Sequence, residues 1–528
     1  MNNLKYPIGQ QNFENIRKDG FVYVDKTELI YNLVHQNKFV FLSRPRRFGK
    51  SLLLSTIQAY FEGKKDLFKG LAIEGLEMDW KRHPVLHLEL SRHNSLDPNS
   101  LYYTIGQQFS LWEDSLGILP SAEVDLGTRF SSIVIESFKK EGAKVVILVD
   151  EYDNPLVNTL HSPKIHNSNR ELLKSIYTNL KALDEYIQFA MLTGVSRFSR
   201  MNVFSGLNNL NDISLLDKYA SICGITEEEI RSQLSEGVEN LAKVYEENYG
   251  QSLQRLKRSY DGYHFSKNCP DLYNPFSLLT ALHNEEINSY WYFTGTPTFL
   301  IERLKSSGVL LSDFLNSKVL GKSLADSDIS STSTLALLYQ TGYLTIKSYN
   351  RETEKYTLGV PNKEVEEGLF SQLATIFSGG EKDLTMLSID KIADYAEEGE
   401  AEKLMKSLQS FMASIPYTVT GKAKEILFEN NIYIIFKLLG IKTSAEVTTS
   451  DGRIDILLET KRFYYIIELK LNQPAQKALD QINRKEYDMP FKFDGKKIIK
   501  IGVRVSSRTR KITEWKINKI DSGSGSNG

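Results

Sequence analysis

The sequence is poor in cysteine and carries no excess of charge of either sign. It contains 2 cysteines in 528 residues, which argues against a disulfide framework and fits a reducing compartment. Its formal net charge is −1, so any contact with nucleic acid must depend on local basic patches. No apolar run approaches the roughly 18 residues that cross a bilayer, and the first ten residues lack a signal-peptide pattern. We therefore expect a cytoplasmic protein with no membrane partner.

Four short apolar runs in the first 220 residues or so predict a parallel sheet. They are Phe39–Leu42, Pro84–Leu90, Val145–Val149 and Gln188–Leu192. Helical patterns separate them, and this alternation is typical of α/β domains with parallel strands. The third run is unbroken and mostly β-branched, as in strands that are buried on both faces.

The segment Arg44-Pro-Arg-Arg-Phe-Gly-Lys-Ser51 contains parts of a phosphate-binding loop. Such a loop needs N–H groups at a helix N-terminus, a lysine for the β- and γ-phosphates and a hydroxyl for magnesium. Gly49, Lys50 and Ser51 supply these elements after a predicted strand, and the basic Arg46 and Arg47 precede them. Arg44 stands where the usual motif begins with glycine, so the motif alone leaves an ordinary surface loop open.

Acidic and polar residues follow the third and fourth runs. Asp150 fits a magnesium-coordinating aspartate and Glu151 a water-activating glutamate at the carboxyl end of a buried strand. Thr193 is placed to sense a γ-phosphate, and Arg197 and Arg200 could reach a phosphate in cis or from a neighbouring subunit. The alternatives are a strand followed by acidic loop residues, and solvated arginines at a helix start.

Asp455, Glu468 and Lys470 have the spacing of a metal-dependent phosphodiesterase site. One strand, a tight turn at 459–462 and a second strand separate the two acids, so we expect the carboxylates side by side. Glu468 and Lys470 are two residues apart and therefore point to the same face of a strand. Two carboxylates bind a hard divalent cation, and the lysine polarises the adjacent water or phosphate. A solvated strand face carrying a common Glu-x-Lys tripeptide is the alternative.

Other residues near this site are weaker candidates. Gln481, on a predicted helix, is placed to hold water or phosphate, although a surface glutamine is an equal alternative. Glu446 and Glu429 are further carboxylates, and for Glu429 a solvated helix face is favoured. Basic residues suited to a phosphate backbone are Arg453, Lys477, Arg484, Lys485, Arg504, Arg508, Arg510 and Lys511.

Five short segments in the first 200 residues resemble sequence motifs of the bacterial AAA-ATPase-like family. They are Tyr6-Pro-Ile-Gly9, Tyr23-Val-Asp-Lys-Thr27, Ser43-Arg-Pro-Arg-Arg-Phe-Gly-Lys-Ser51, Leu148-Val-Asp-Glu-Tyr-Asp153 and Leu192-Thr-Gly-Val-Ser196. In that family the ATPase-like domain is followed by a PD-(D/E)XK nuclease-like domain, whose Asp…Glu-x-Lys core Asp455, Glu468 and Lys470 match. The resemblance implies that Lys50, Ser51, Asp150 and Glu151 bind ATP and Mg²⁺. It also implies that the family shares the arginine at position 44, where the usual phosphate-binding motif begins with glycine.

The resulting fold prediction is α/β throughout. It comprises a P-loop NTPase parallel sheet with a helical lid and a winged-helix-like middle region, followed by a PD-(D/E)XK restriction-endonuclease-like α/β domain. We predict domains at 1–222 (ATPase core), 223–332 (lid), 333–422 (winged-helix-like region and helical connector) and 423–521 (nuclease-like). Residues 522–528 have the composition of a linker or tag remnant.

The function predicted from these motifs is an ATP-binding, Mg²⁺-dependent nuclease under nucleotide control. Analogy with such domain fusions, and not any residue, adds a role in defence against foreign DNA or a mobile element. We expect DNA rather than RNA as the partner, and a contact between copies of the chain through Arg197 or Arg200. Two alternative functions are also compatible with the sequence. One is a nucleotide-controlled switch or scaffold that binds nucleic acid or protein without cutting, and the other is an ATPase motor with the nuclease fold as a clamp.

Overall fold

The chain folds into two compact units. The structure, a computed structural model, describes residues 4–92, 94–118, 124–160, 162–197, 209–291, 317–324, 334–378, 391–414, 433–434, 442–449, 452–492, 494–506, 508–509 and 511–520. The first unit comprises Met1–Leu300 and Lys318–Glu364, and the second comprises Ile301–Ser317 and Val365–Gly528. None of the helices in the described ranges has the length and apolar character needed to span a membrane.

The first unit is built on a parallel sheet. Its strands are β1 (Phe39–Ser43), β2 (Val85–Glu89), β3 (Val145–Asp150), β4 (Ile187–Gly194) and β5 (Asn211–Asp212), in the order β2-β3-β4-β1-β5. Every neighbouring pair is parallel. The four predicted strands are therefore present, and β1 and β3 are buried along their whole length. Because all strands run the same way, their carboxyl ends meet at one edge, where α/β proteins bind ligands.

Helices of the first unit cover the sheet and form the region that follows it. Ile105, Ile133 and Ile176, from three of these helices, pack into one core with the sheet. The α-helices are Phe13–Lys18, Thr27–Gln36, Lys50–Phe61, Ser100–Leu116, Leu126–Glu141, Asn154–Val157, Pro163–Ala182, Glu227–Gln233, Ser235–Val244, Tyr249–Tyr260, Pro275–Asn284, Gly321–Leu324 and Thr334–Gln340. Short 3₁₀ helices span Lys65–Phe68, Ala72–Gly75, Asp184–Tyr186 and Asp217–Tyr219.

The helices between 227 and 284 form a second core of the first unit. Local signals start them, because Thr226 and Asn248 each complete a capping box and Asn274 caps a helix with Pro275 in its first turn. Leu241, Leu256 and other apolar side chains of these helices pack together. This arrangement matches the helical lid region predicted after the parallel sheet.

A small antiparallel sheet follows. Its strands are β6 (Lys318–Leu320), β7 (Thr345–Asn350) and β8 (Lys355–Gly359), in the order β6-β8-β7. The helix Thr334–Gln340 directly precedes the β7–β8 hairpin. The sequence predicts this helix and hairpin, and their interpretation as a winged-helix-like element stays a prediction.

The second unit contains a mixed sheet. Its strands are β9 (Lys442–Thr449), β10 (Gly452–Glu459), β11 (Phe463–Leu471), β12 (Lys497–Val505) and β13 (Ile512–Ile520), in the order β13-β12-β11-β10-β9. Only β11 and β12 pair in parallel among these strands, and the helix Ala475–Arg484 is the crossover between them. Further helices are Lys363–Ser378, 391–398, Ala401–Ser414 and the 3₁₀ turn Met489–Phe491. The predicted combination of a parallel P-loop sheet with a separate C-terminal α/β domain is confirmed.

Candidate nucleotide and metal centres

The loop between β1 and the helix Lys50–Phe61 has the shape of an anion-binding turn. Arg47 and Gly49 both have left-handed backbone conformations, with φ of 67° and 89°. Such turns direct successive backbone N–H groups towards a common point. A Cβ added to Gly49 would meet nothing within 4 Å, so the space in front of the helix N-terminus is open. The loop can therefore receive a phosphate group.

Lys50 is held inside this loop. Its ammonium group is buried and donates to the carbonyl oxygens of Arg44 and Pro45, each at 3.1 Å. The next residue, Ser51, lies in the first turn of the helix and lines the same cleft as Lys50. The lysine and hydroxyl of the motif thus lie together, as the sequence predicts.

Arg44 anchors the loop instead of facing the cleft. Its guanidinium group is buried and donates to the carbonyl oxygens of Ser43 and Ser214 at 2.9 Å each, and of Ala220 at 3.2 Å. It also stacks 4.2 Å from the ring centroid of Phe265. This explains why a large cation can stand at the position where phosphate-binding loops usually begin with glycine.

Two acids, Asp150 and Glu151, lie at the carboxyl end of β3, and Asp150 contacts β4. Asp150 is buried, and its Oδ1 accepts hydrogen bonds from the Thr193 hydroxyl at 2.7 Å and the Glu151 N–H at 3.0 Å. Glu151 has a φ of 51° and accepts a hydrogen bond from the Asn154 amide at 2.9 Å. Burial raises the pKa of Glu151, while the charge of Lys50 opposes that rise. The higher pKa makes Glu151 a better proton acceptor than an exposed glutamate.

A cleft of about 370 Å³ joins these groups. Its lining includes Arg46, Arg47, Lys50 and Ser51 together with Glu151 and Asn154. A smaller cavity of about 80 Å³ shares Gly49 and Leu52 with the cleft and is otherwise mostly apolar, with Val22, Ile30 and Ile225 in its wall. A charged cleft beside an apolar cavity suits a ligand with a phosphate chain and a flat apolar group.

Two residues that are distant in sequence, Trp291 and Gly342, contact the phosphate-binding loop. The Trp291 indole N–H donates to the Arg46 carbonyl at 3.3 Å. Gly342 has a φ of 90°, and a Cβ added there would lie 2.7 Å from the Cβ of Pro45. The turn after the helix Thr334–Gln340 therefore packs directly on the loop.

The second candidate centre lies where β10 and β11 end their pairing. Ile456 is paired with Ile467, so Asp455 and Glu468 are the next opposed residues and point to the same face. The Asp455 Oδ2 accepts a hydrogen bond from the Leu469 N–H at 2.7 Å. Lys470 places its ammonium group 2.9 Å from Glu468 Oε1. The structure thus brings all three residues together.

The crossover helix completes this centre. The Gln481 side-chain amide donates to Glu468 Oε1 and contacts the Tyr487 hydroxyl at 3.4 Å. Gly502 of β12 pairs with Glu468, and a Cβ there would lie 2.3 Å from the Ala475 carbonyl oxygen. The glycine therefore allows the helix to lie close to the sheet, within reach of Glu468.

The chemistry of Glu468 fits a cation ligand. Glu468 is 1% exposed, and within the described ranges its Oε2 has no hydrogen-bond partner. Burial, together with the negative charge of Asp455, raises the pKa of Glu468 to about 7. A buried carboxylate beside a second carboxylate is costly unless a cation compensates it. Among the described residues, no group of three or more His, Cys, Asp or Glu side chains is placed to hold a metal ion.

Comparison with protein families and with a curated protein identifies the domains that contain the two candidate centres. Residues 7–204 match the family described as "Predicted AAA-ATPase", and residues 423–515 match the PD-(D/E)XK nuclease superfamily. The chain is also 33% identical over 530 residues to the uncharacterized protein in the vnfD 5′ region of Azotobacter chroococcum mcd 1, covering 98% of this chain and 100% of that one. The chain belongs to the AAA-ATPase-like family with a C-terminal PD-(D/E)XK domain. The predicted resemblance is confirmed.

Solved structures show only a distant likeness to this AAA-ATPase-like protein. The Aeropyrum pernix ORC1 protein in complex with DNA is 11% identical, with a TM-score of 0.24, covering 65% of this chain and 91% of that chain. Cdc6p from Pyrobaculum aerophilum is 10% identical, also with a TM-score of 0.24, covering 68% and 92% of the two chains. Scores this low carry no argument about partners.

Several predicted residues of the AAA-ATPase-like protein lie elsewhere or outside the described ranges. Arg197 is buried, donates to Asp212 with its Nε at 3.0 Å, and does not line the cleft. Thr193 contacts Asp150, and neither of these two residues lines the cleft. Arg200 and Glu429 fall outside the described residues, and the side chain of Glu446 is not described.

Sequence reasoning missed some residues of both centres. Asn154, Trp291 and Gly342 support the nucleotide cleft, and Tyr487 and Gly502 support the carboxylate pair. Only Asn154 could have been found from the sequence, because it lies three residues after Glu151 and a short turn brings the two side chains together. The others act through contacts with residues distant in sequence, which spacing alone does not indicate.

Proposed function

We propose that this protein is an ATP-binding, Mg²⁺-dependent nuclease that cleaves DNA phosphodiester bonds under nucleotide control. The observation that carries the proposal is the buried Glu468, which lies beside Asp455 and Lys470 with one carboxylate oxygen lacking a hydrogen-bond partner among the described residues. This set of groups is suited to holding a divalent cation next to a phosphodiester. The match of residues 423–515 to the PD-(D/E)XK nuclease superfamily supports this proposal.

In this proposal the side chains of the second unit have distinct tasks. Asp455 and Glu468 hold the cation, which supplies Lewis-acid stabilisation of charge on the phosphate oxygens. Lys470 is only partly buried, so its ammonium group can leave Glu468 and face the scissile phosphate. Gln481 fixes the position of Glu468 Oε1 through its amide hydrogen bond.

The first unit would bind the nucleotide. The N–H groups of the loop and Lys50 would receive the β- and γ-phosphates, and Ser51 with Asp150 would hold Mg²⁺. The apolar cavity beside Gly49 and Leu52 would take the adenine ring. The packing of Gly342 on the loop would give the winged-helix-like element a route for sensing the nucleotide.

The decisive experiment is a cleavage assay on plasmid and linear DNA with and without Mg²⁺. We expect Asp455→Asn and Lys470→Ala to reduce cutting by about 100-fold or more, since both remove charge at the reacting phosphate. The matched control is Lys496→Ala, because Lys496 forms a 2.8 Å ion pair with Glu459 in the same unit and resembles the Lys470–Glu468 pair. Equal cutting by all four proteins would refute the site.

Two further comparisons test the remaining parts of the proposal. Replacing DNA by RNA of the same sequence should abolish cutting. Adding ATP or ADP should change the cutting rate of the wild type but not that of Lys50→Ala. The setting we propose is the cytoplasm and defence against foreign DNA or a mobile element, by analogy with such domain fusions.

A further inference from the structure

One arginine of the phosphate-binding loop, Arg47, is exposed and lines the nucleotide cleft. Arg47 sits at the apex of the loop in a left-handed conformation, and its side chain is exposed. None of the described carboxylates forms a salt bridge with it. Its guanidinium group rests 4.9 Å from the ring centroid of Phe276, and both residues line the nucleotide cleft.

Its neighbours in the loop are committed to other contacts. Lys50 donates to two loop carbonyls, and Arg44 is buried beneath the loop. The contact between Arg47 and Phe276 is a cation–π interaction at an exposed site, which is weak. Arg47 can therefore move towards a bound phosphate chain more freely than Lys50 or Arg44.

One of the two arginines predicted to act from a neighbouring copy, Arg197, is already paired in this structure. Arg197 is 7% exposed and paired with Asp212, which is itself nearly buried. Burial raises the pKa of the Asp212 carboxyl, but the charge of Arg197 and its hydrogen bonds outweigh this effect and hold that pKa below its usual range. The pair therefore stays ionised at neutral pH. Releasing Arg197 would leave a buried carboxylate without its partner, which is costly.

We propose that Arg47 acts in cis on the γ-phosphate, so that each chain hydrolyses ATP without an arginine from a second copy. The inference rests on the proposed nucleotide site. Arg47 leaves Phe276 when the phosphate chain enters the cleft, and its guanidinium group offsets the charge that develops on the equatorial γ-oxygens. Phosphate-transfer enzymes can supply such an arginine from the same chain or from a partner.

The step that Arg47 assists is ordinary hydrolysis. The oxygen of a water molecule bonds to the γ-phosphorus while the bond from that phosphorus to the β–γ bridging oxygen breaks. The electron pair of the broken bond stays on ADP, and a water proton passes to Glu151 and then to solvent. The products are ADP, inorganic phosphate and one proton, and no other reactant is needed.

Steady-state hydrolysis of ATP by the full chain tests the role of Arg47. We expect Arg47→Ala to lower kcat by about 100-fold or more, with a change in KM and in equilibrium ATP binding of less than about tenfold. Arg47→Lys should recover only part of kcat, because a single ammonium group cannot make the bidentate contact. Arg258→Ala, at an exposed position on another helix, should match the wild type.

The dependence on protein concentration separates action in cis from action in trans. We expect the turnover per chain of the wild type to stay constant over a 100-fold range of protein concentration. Turnover that rises with concentration and is lost in Arg200→Ala would overturn the inference, as would an Arg47→Ala effect confined to KM. A wild type that binds ATP without hydrolysing it would also overturn it, but would leave the proposed nucleotide site standing. A wild type that fails to bind ATP would refute that site itself.

Discussion

Gly502 lies directly opposite Glu468 in the neighbouring strand, and its missing side chain lets the crossover helix lie on the sheet. The helix then places Gln481 on the carboxylate of Glu468. A residue without functional groups thus sets the geometry of the candidate metal centre. The centre depends on backbone packing as much as on its charged side chains.

Gly502→Ala should weaken the metal centre without touching a ligand. The new Cβ would lie 2.5 Å from the Leu479 N–H nitrogen, so the helix must move away and carry Gln481 with it. We expect a loss of about 1–3 kcal/mol in the stability of the second unit, together with weaker binding of divalent ions. Chemical denaturation and calorimetric titration with Mn²⁺ measure the two effects. Gly495→Ala is the control for ion binding, since a Cβ there meets nothing within 4 Å, although its φ of 72° makes the change cost some stability. Equal loss of ion binding in both variants would contradict this expectation.

Gly342→Ala should loosen the nucleotide site from outside the loop. The residue has a φ of 90°, and its Cβ would press on Pro45 at 2.7 Å. Because the loop must shift, we expect ATP to bind at least about tenfold more weakly, which corresponds to about 1.4 kcal/mol. Gly20→Ala is the control, since it has a similar φ of 70° but no atom within 4 Å of the new Cβ. Fluorescence titration with a labelled ATP analogue should show unchanged affinity for that control.

The first unit should lose stability at alkaline pH through His264. Its hydrogen bond to Asp271, at 3.1 Å, and a contact with Cys269 raise the pKa of His264 to about 10. A raised histidine pKa stabilises the fold fully below the unfolded value near 6.5, and this contribution disappears as the pH rises through about 10. The difference in stability between wild type and His264→Gln should therefore shrink from pH 6 to pH 10. Thermal unfolding across this range measures it.

His83 provides the comparison for that experiment. Burial lowers the pKa of His83, so it is neutral throughout the alkaline range. The difference between wild type and His83→Gln should stay constant from pH 7 to pH 10. A constant difference for His264→Gln as well would show that the pair with Asp271 does not stabilise the charged imidazole.

The nuclease-like sheet should require the helices that precede residue 423. The Tyr465 hydroxyl donates to the Ala396 carbonyl at 2.7 Å, and the Trp515 indole N–H donates to Glu402 at 3.0 Å. Leu404 and Leu408 are buried on the same helix as Glu402. A fragment of residues 423–521 would expose this face of the sheet, and we expect it to aggregate, whereas residues 389–521 should unfold cooperatively. Cooperative unfolding of the shorter fragment at the same denaturant concentration would contradict this expectation.

The sequence predicts the parts of this protein that depend on local pattern. Unbroken apolar runs such as Val145–Val149 identify buried strands, because both faces of such a strand must be apolar. The short turn at 459–462 fixes the register of β10 and β11, so the meeting of Asp455 and Glu468 follows from spacing alone.

The parts that spacing does not predict depend on distant contacts. Arg44 has an unusual position in its motif, and its role becomes visible only with Ser214 and Ala220, some 170 positions away. The role of Gly502 likewise depends on how closely a helix packs on β12. Such contacts arise from tertiary packing, which leaves no periodic signal in the sequence.

The central claim is that Asp455 and Glu468 share one divalent cation. A crystal structure of the protein soaked with Mn²⁺, with anomalous scattering collected at the manganese edge, tests it most directly. We expect one peak within about 2.0–2.6 Å of oxygens from both carboxylates, and no such peak in Asp455→Asn. No peak at this position, or a peak bound by neither carboxylate, would contradict the account.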